Sequence, residues 1–511
     1  MKYGAVATTA DFQSKHENLC SKLLKNETIL SVITDVNMEE SIGTQPPVDI
    51  ARNLFGDSFS AEELTGYLRS STHDNSAPAL PYSLDADSAI RYKLSHACRI
   101  KINNTKTAFC KRAVLRELPY AIEKSIKTPY KLARDIKANT NEAIFLNECV
   151  KDCEIFKEKF GNNGKSDVLR VFPPYFCEAI VYPHYPLDSK FLCLLTDFSP
   201  MDGWKQHAHL EKEHLETAVE AMGEWHAHFW LEKIENDGND PKMAKMLKVA
   251  ETDAVEKLWQ PGCYWDISKQ PEGQVAGIEK SWKKVFDELY SKIEDSKPWS
   301  EVEFYGQKMA KNAAKLDELL HRNGIERQTV IHGDLKASNW FMRKTSTGKT
   351  QAGLIDFQWT GVGVAGVDLA YLVLASVHEN DVKNDLPVSA ETGNPLTRAS
   401  PMLSDLARKY HLTLKSKVAP DQKVPNFQKF EAQFALAIVD LCRTAVSDHL
   451  CKLGGGTSKT IYDVVLEREQ SPDQKKLVFN AYNKNRKVVR WMIGVLGSLL
   501  KDIDEIYSSA V

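Results

Sequence analysis

The strongest constraint on this chain lies past its middle, where His332-Gly333-Asp334-Leu335-Lys336-Ala337-Ser338-Asn339 is followed closely by Leu354-Ile355-Asp356-Phe357. An acid, an amide five residues on, and a second acid after a short interruption are the residue types that phosphoryl transfer from a metal nucleotide requires. A hydroxyl nucleophile needs a carboxylate to orient it and accept its proton, and Asp334 fits that role. The triphosphate needs Mg²⁺ to neutralise its oxygens, and this hard ion takes oxygen ligands, so Asn339 and Asp356 are the candidate metal ligands. Phe341-Met342 and Leu354-Ile355 read as two short strands joined by a polar turn rich in Lys, Thr, Ser and Gly. Such a hairpin brings Asp356 back beside Asn339.

These residues resemble the aminoglycoside phosphotransferase and choline kinase group, and more narrowly its ecdysteroid-kinase-like (CHK kinase-like) branch. The resemblance is carried by H-G-D-x-x-x-x-N, with Gly rather than Arg after the His, and by the run from Ile355-Asp356-Phe357-Gln358 to Asp368-Leu369-Ala370-Tyr371-Leu372. It is specific over roughly residues 90 to 375. It implies an α+β, protein-kinase-like two-lobed fold, with a small β-rich N-lobe and a larger, mainly helical C-lobe. The implied chemistry uses ATP and Mg²⁺ to phosphorylate the hydroxyl of a small molecule. On this resemblance Lys336 contacts the transferred phosphate, its alternative being a solvated surface lysine. His332 is then structural, and Asp368 anchors the backbone of the catalytic loop.

A lobe that holds ATP is expected upstream. Cys98 to Ile102 and Ala108 to Val114 read as strands around the turn Asn103-Asn104-Thr105-Lys106. Lys111 lies mid-strand, where a free cation is otherwise unwelcome, and is the candidate for the α and β phosphates; the alternative is an exposed edge-strand lysine. Phe109 shares its face by strand alternation and lies toward the adenine. From Asn139 onward, Phe145, Cys149, Cys153, Phe156 and Phe160 form an apolar stripe at helical period. Glu142 lies on that stripe, so it is either the ion-pair partner of Lys111 or half of a capping box with Asn139. Phe191 to Leu195 is an apolar run suited to a buried strand. Thr196-Asp197-Phe198 follows where the family has its hinge, so backbone groups there would meet the adenine edge. In Trp225-His226-Ala227-His228-Phe229-Trp230 the two histidines at i and i+2 point to different sides of a helix, unlike a chelating i, i+4 pair. The stretch from Ser70 to Arg99 contains no Gly, so the loop that covers the phosphates is unassigned, with Ser70 to His73 and Ser83 to Ser88 as candidates. Gly361-Val362-Gly363-Val364-Ala365-Gly366 matches the dinucleotide fingerprint G-x-G-x-x-G, but no repeated parallel strand and helix unit follows it.

The expected domains are an N-terminal extension over 1-80, an ATP-binding N-lobe over 81-198, and a helical C-lobe over 199-511. The C-lobe contains the catalytic loop 332-339, the metal-binding segment 355-358, a helix over Glu303 to Leu320 and helices over 403–416, 428–453 and 475–507. Asp440 and Asp448 on these helices are possible substrate contacts, or solvated charges without a role. Lys plus Arg minus Asp plus Glu is 66 − 69 = −3 in 511 residues, which gives no sign of nucleic-acid binding. No apolar stretch approaches the ~20 residues of a membrane span. Met1 to Asp11 lacks the pattern of a signal peptide. The ten cysteines form no C-x-x-C pair and read as reduced core thiols of a cytoplasmic protein. The partner expected is a small-molecule alcohol (sterol-, choline- or aminoglycoside-like). The alternative is a catalytically weak kinase-fold binding or scaffold protein, favoured by the missing glycine loop.

Overall fold

The computed structural model describes residues 83–91, 95–101, 107–230, 232–233, 246–247, 257–271, 273–293, 301–322, 325, 328–382, 385, 393–420, 422–453, 459–470 and 485–511. The expectations for residues 1–80, the turn Asn103 to Lys106, Asn323-Gly324 and Gly454 to Gly456 lie outside the described residues. Two compact units form. The first holds the described residues up to Ala143 together with Pro173–Asp197, and the second holds Ile144–Phe172 and Phe198–Val511.

The first unit is built on five antiparallel strands: β1 (Ser83–Arg91), β2 (His96–Lys101), β3 (Thr107–Val114), β4 (Pro174–Ile180) and β5 (Lys190–Thr196). Their order across the sheet is β1-β2-β3-β5-β4. Strand alternation gives each face its own core. Ile100, Ala108, Cys110 and Leu194 cluster together on one face. Ala113 and Phe191 join Leu115, Leu118, Ala121, Leu132 and Ile136 in a second cluster, which seats the helices α1 (Pro119–Lys127) and α2 (Pro129–Ile144). Proline in the first turn suits both helices, because its missing N–H has no intrahelical partner there. Cys177 and Cys193 face each other across β4 and β5 and are disulfide-bonded, which departs from the all-thiol expectation. Facing residues of an antiparallel ladder place their Cβ atoms within reach of such a bond. Cys98, Cys110, Cys149, Cys153, Cys263 and Cys442 are buried free thiols, as expected.

The stripe that continues from α2 is interrupted. A π-helical turn at Phe145–Lys151 and a break at Asp152–Cys153 precede a second helix, Glu154–Phe160. Phe145, Cys149, Cys153, Phe156 and Phe160 are nevertheless all buried. The offset lets Phe145 pack against Trp225 at 5.5 Å and Phe357 at 4.7 Å between ring centroids, within the aromatic core of the second unit.

That unit carries α3 (Lys212–His228), the strand β6 (Thr329–Ile331), the hairpin β7 (Trp340–Lys344) and β8 (Thr350–Leu354), and the strand β9 (Gly361–Gly363). Helix α4 (Tyr305–Asp317) precedes β6, and it buries Tyr305, Met309, Ala313 and Leu316 along one face, with Leu320 following in the π-helical turn Glu318–Arg322. Helix α5 (Ala365–Ser376) is buried along its whole length, as its largely apolar sequence requires, and packs on α3, β6 and α7 (Phe427–Thr444). Helices α6 (Pro401–Lys417), α8 (Arg486–Lys501) and α9 (Ile503–Ala510) complete the helical layer. The fold is thus α+β, a β-sheet unit and a larger helical unit. Among the described residues no helix is long and apolar enough to cross a membrane.

The glycines of the apparent dinucleotide fingerprint serve packing. Gly361 and Gly363 lie in β9, which pairs antiparallel with β6 rather than in a parallel βαβ unit. A Cβ on Gly366 would stand 3.1 Å from Phe434 Cα, so this glycine lets α5 approach α7 closely.

Candidate active site

The loop 332–339 is held from beneath by one carboxylate. Asp368, fully buried in the first turn of α5, accepts the His332 amide at 2.6 Å on Oδ2 and the Gly333 amide at 2.8 Å on Oδ1. His226 on α3 contacts the same Asp368 Oδ2 through Nε2 at 3.2 Å, and its Nδ1 lies 2.6 Å from the Tyr410 hydroxyl. Both histidines of the Trp225–Trp230 segment are therefore core groups. Burial lowers the His332 pKa against the pull of Asp368 and Asp334, which keeps the ring neutral. Its tautomer follows from its bonds: the Asp334 amide donates to Nδ1 at 3.3 Å, and Nε2–H donates to the Ile355 carbonyl at 3.0 Å. His332 thus ties the loop to the strand end that carries Asp356.

The hairpin performs the return expected of it. Trp340 faces Leu354 and Lys344 faces Thr350 in the β7–β8 ladder, and the Ile355 amide donates to the Asn339 carbonyl at 3.1 Å. Asn339 and Asp356 are consequently backbone neighbours. Asn339 Nδ2 donates to the Asp334 carbonyl at 2.7 Å, which ties the amide to the start of the loop. Asp356 sits at φ 71°, a left-handed conformation costly for a side chain other than glycine, of the kind that collects at functional sites. Lys336 Nζ donates to Asp334 Oδ2 at 2.5 Å. An amide oxygen and a carboxylate beside a nucleotide suit Mg²⁺, which keeps waters and phosphate oxygens in its remaining positions. Among the described residues no group of three His, Cys, Asp or Glu is arranged to hold a metal ion on its own.

In the first unit Lys111 projects from β3 to α2, where Nζ donates to Glu142 Oε2 at 2.7 Å. Glu142 is nearly fully buried. The competing capping box is excluded, because α2 begins at Pro129 and Asn139 lies in its interior, donating to the Asp135 carbonyl at 3.0 Å. Lys111, Cys193 and Cys177 face one another across β3, β5 and β4.

The hinge segment is more structural than its position suggests. Asp197 Oδ2 accepts from Arg99 Nε at 2.5 Å and from the Thr107 hydroxyl at 2.7 Å, and the Thr196 hydroxyl donates to the Pro173 carbonyl at 2.8 Å. Phe198 is buried, with its ring stacked between Phe172 at 4.3 Å and Phe341 at 5.0 Å. These side chains tie strand ends together and fill the core.

The sequence reading missed the strand β1. Its residues Leu84, Ala86, Ser88 and Ile90 alternate with Asp85, Asp87 and Ala89, which is the signal that could have revealed it. Ser83 to Ser88, a candidate phosphate loop, lies within this strand, where Ser83, Leu84 and Asp85 pair with Lys101, Ile100 and Arg99. The connection between the first two strands is instead Tyr92-Lys93-Leu94-Ser95, of which 92–94 lie outside the described residues. Asp440, a possible substrate contact, is fully buried between His321 and Arg443 and cannot meet a substrate.

A sheet whose third strand pairs a lysine with a helix glutamate, and a helical unit with an Asp-anchored H-G-D loop beside an Asn and Asp pair, define the class as a protein-kinase-like fold. Residues 184–387 match the model of the ecdysteroid kinase-like family. No curated protein sequence matches the chain. Among solved structures it is similar to a choline kinase from Cryptosporidium parvum Iowa II, at 10% identity and a TM-score of 0.35 over 87% of this chain and 97% of that one. It is also similar to the amicoumacin kinase hAmiN in complex with AMP-PNP, Ca²⁺ and Ami, at 10% identity and a TM-score of 0.34 over 80% of this chain and 93% of that one.

Proposed function

We propose that this chain is an ATP-dependent kinase that transfers the γ-phosphate to a hydroxyl of a small organic molecule. The observation that carries the reading is the cluster of Asp334, Lys336 and Asn339 on a loop whose backbone is fixed by Asp368, with the strand end that carries Asp356 bonded to Asn339. Asp334 orients the hydroxyl and takes its proton as the oxygen bonds to phosphorus and the bond to the ADP oxygen breaks. Lys336 exchanges its contact with Asp334 for the transferred phosphate. Asn339 Oδ1 and the Asp356 carboxylate would hold Mg²⁺, which neutralises phosphate charge when bound. Lys111, oriented by Glu142, binds the α and β phosphates, and backbone groups of Thr196 to Phe198 meet the adenine.

Tyr264 and Trp359 are half-buried and follow directly from backbone that touches Gly333, and Tyr264 bonds His449 on the turn after α7 at 3.1 Å. We place the carbon body of the acceptor against them. The stretch from Ser70 to Arg99 contains no glycine, and this favours a second reading, a kinase-fold binding or scaffold protein with little or no turnover.

Thermal unfolding with and without MgATP separates the kinase reading from a protein that binds no nucleotide. Saturation at 100 times Kd adds about 2.7 kcal/mol of stability and a clear rise in Tm. ATP consumption is then screened across sterols, choline-like amines, sugars and aminoglycosides. Turnover with one of these, lost in Asp334→Asn, is expected. A Tm rise without turnover on any of them supports the binding protein, and no rise at millimolar MgATP sinks the kinase reading.

A further inference from the structure

A buried chain of polar groups stands directly behind the catalytic loop. Cys263 is fully buried and adopts φ 77°, a left-handed conformation that a side chain occupies only when its surroundings hold it there. Those surroundings are specific. The Cys263 amide donates to the Trp359 carbonyl at 3.0 Å, and its own carbonyl accepts from Lys269 Nζ at 2.8 Å, a lysine that also caps the Pro261 carbonyl at 2.7 Å. Cys263 Sγ faces His321 Nδ1 at 3.8 Å, and His321 Nε2 lies 2.9 Å from Asp440 Oδ2. Asp440 Oδ1 in turn accepts from Arg443 Nε at 3.0 Å and Nη2 at 2.9 Å. Cys263, His321, Asp440 and Arg443 are all buried.

A cysteine, a histidine and an aspartate in this order resemble a nucleophile, its base and an orienting acid. Full burial of the sulfur excludes that chemistry. The backbone of Cys263, not its sulfur, meets the catalytic loop. A Cβ built on Gly333 would lie 2.6 Å from the Cys263 amide nitrogen and 2.8 Å from its Cα, and would collide with the Trp359 carbonyl oxygen. The segment 259–263 is therefore a strap, bridged to β9 at Trp259 and Gly361, that presses on the residue preceding Asp334.

We propose that Cys263 and His321 are positioning residues, which clamp this strap onto Gly333 through the sulfur, imidazole and carboxylate chain and so set where Asp334 stands. Burial opposes charge on His321, but the Cys263 sulfur and the Asp440 carboxylate outweigh it and raise its pKa to about 10. The ring therefore keeps both N–H groups and donates in both directions along the chain. The consequence for turnover rests on the kinase reading given above, whereas the consequence for loop rigidity does not.

Amide hydrogen exchange of the full chain separates the two. In Cys263→Ala and in His321→Gln, amides of 332–335 are expected to exchange about tenfold faster than in wild type, the scale of losing one buried hydrogen bond, while those of α8 keep their rates. Should Cys263→Ala not fold, Cys263→Gly takes its place, because glycine accepts φ 77° without strain. Unchanged loop exchange, acceleration in only one of the two links, or equal acceleration in α8 overturns the proposal. Hydrolysis of MgATP with water as acceptor is read in parallel. The clamp predicts a lower kcat at unchanged KM for MgATP, and a raised KM at unchanged kcat contradicts it. If wild type hydrolyses and binds no MgATP, the kinase reading falls while the exchange result still decides the clamp.

Discussion

At the scale of single residues, chemistry with strict needs was the most legible part of the chain. Asp334, Asn339 and Asp356 could be singled out as candidates because proton acceptance and metal ligation would demand these groups at short spacing. Lys111 and Glu142 could be paired because a strand period and a helix period each place one group on a defined face, and their atoms are 2.7 Å apart. The pair also yields a prediction. Lys111 is partly accessible and Glu142 almost wholly buried, so Lys111→Met leaves a buried carboxylate without this partner, at a cost of about 1–3 kcal/mol. In the double variant Lys111→Met/Glu142→Gln most of that loss is expected to return, yet neither protein should respond to MgATP. Denaturant midpoints and thermal shifts measure the two effects separately, and a nucleotide response that survives in Lys111→Met would remove this lysine from the phosphate site. Phe198 shows the opposite limit. A hinge is defined by backbone, so its position in the sequence said nothing about a ring that fills a core between Phe172 and Phe341.

At the scale of elements, long periodic segments were readable and irregular ones were not. The stripe of Tyr305, Met309, Ala313 and Leu316 became α4 because one apolar face per turn suffices to seat a helix. The strap Trp259-Gln260-Pro261-Gly262-Cys263 has no period, and only the fold brings it to Gly333, some seventy residues later in the chain. It supplies a physical reason for the glycine that distinguishes H-G-D from H-R-D. Gly333 stands at φ 80° with the strap and Trp359 where a side chain would begin. Gly333→Ala is expected to cost more than about 2 kcal/mol, since left-handed strain and backbone collision add. It should also lower kcat more than Asp368→Asn does, because it moves the loop itself. Retained stability and turnover in Gly333→Ala would show that the strap yields easily. The break after Phe145 was equally invisible, since an inserted π-turn preserves the apolar spacing while shifting the helix axis.

At the scale of the whole molecule, protonation couples the core to stability. Burial lowers the pKa of His207, His214 and His332, takes His209 down to about 4 and His228 to about 3, and so keeps these rings neutral in the folded chain. His228 is the clearest case: its ring stands edge-on to Phe156, Phe160 and Phe229 at 5.3, 5.4 and 4.7 Å, with Lys159 nearby. Because its folded pKa lies below the unfolded value near 6.5, the unfolded chain takes up the proton first as pH falls. The stability that a neutral His228 contributes is complete above about pH 6.5 and is lost progressively toward pH 3, at about 1.4 kcal/mol per unit. His321 behaves oppositely: raised to about 10, it is protonated in both states below pH 6.5 and adds no acid sensitivity there. The chain should therefore weaken steadily between pH 6.5 and 4. His228→Phe keeps the aromatic contacts and removes one titrating site, so its stability relative to wild type should rise by about 2 kcal/mol between pH 7.5 and pH 5. Urea midpoints at the two pH values measure this, and parallel losses in the two proteins would mean that the His228 ring reaches water and protonates without unfolding.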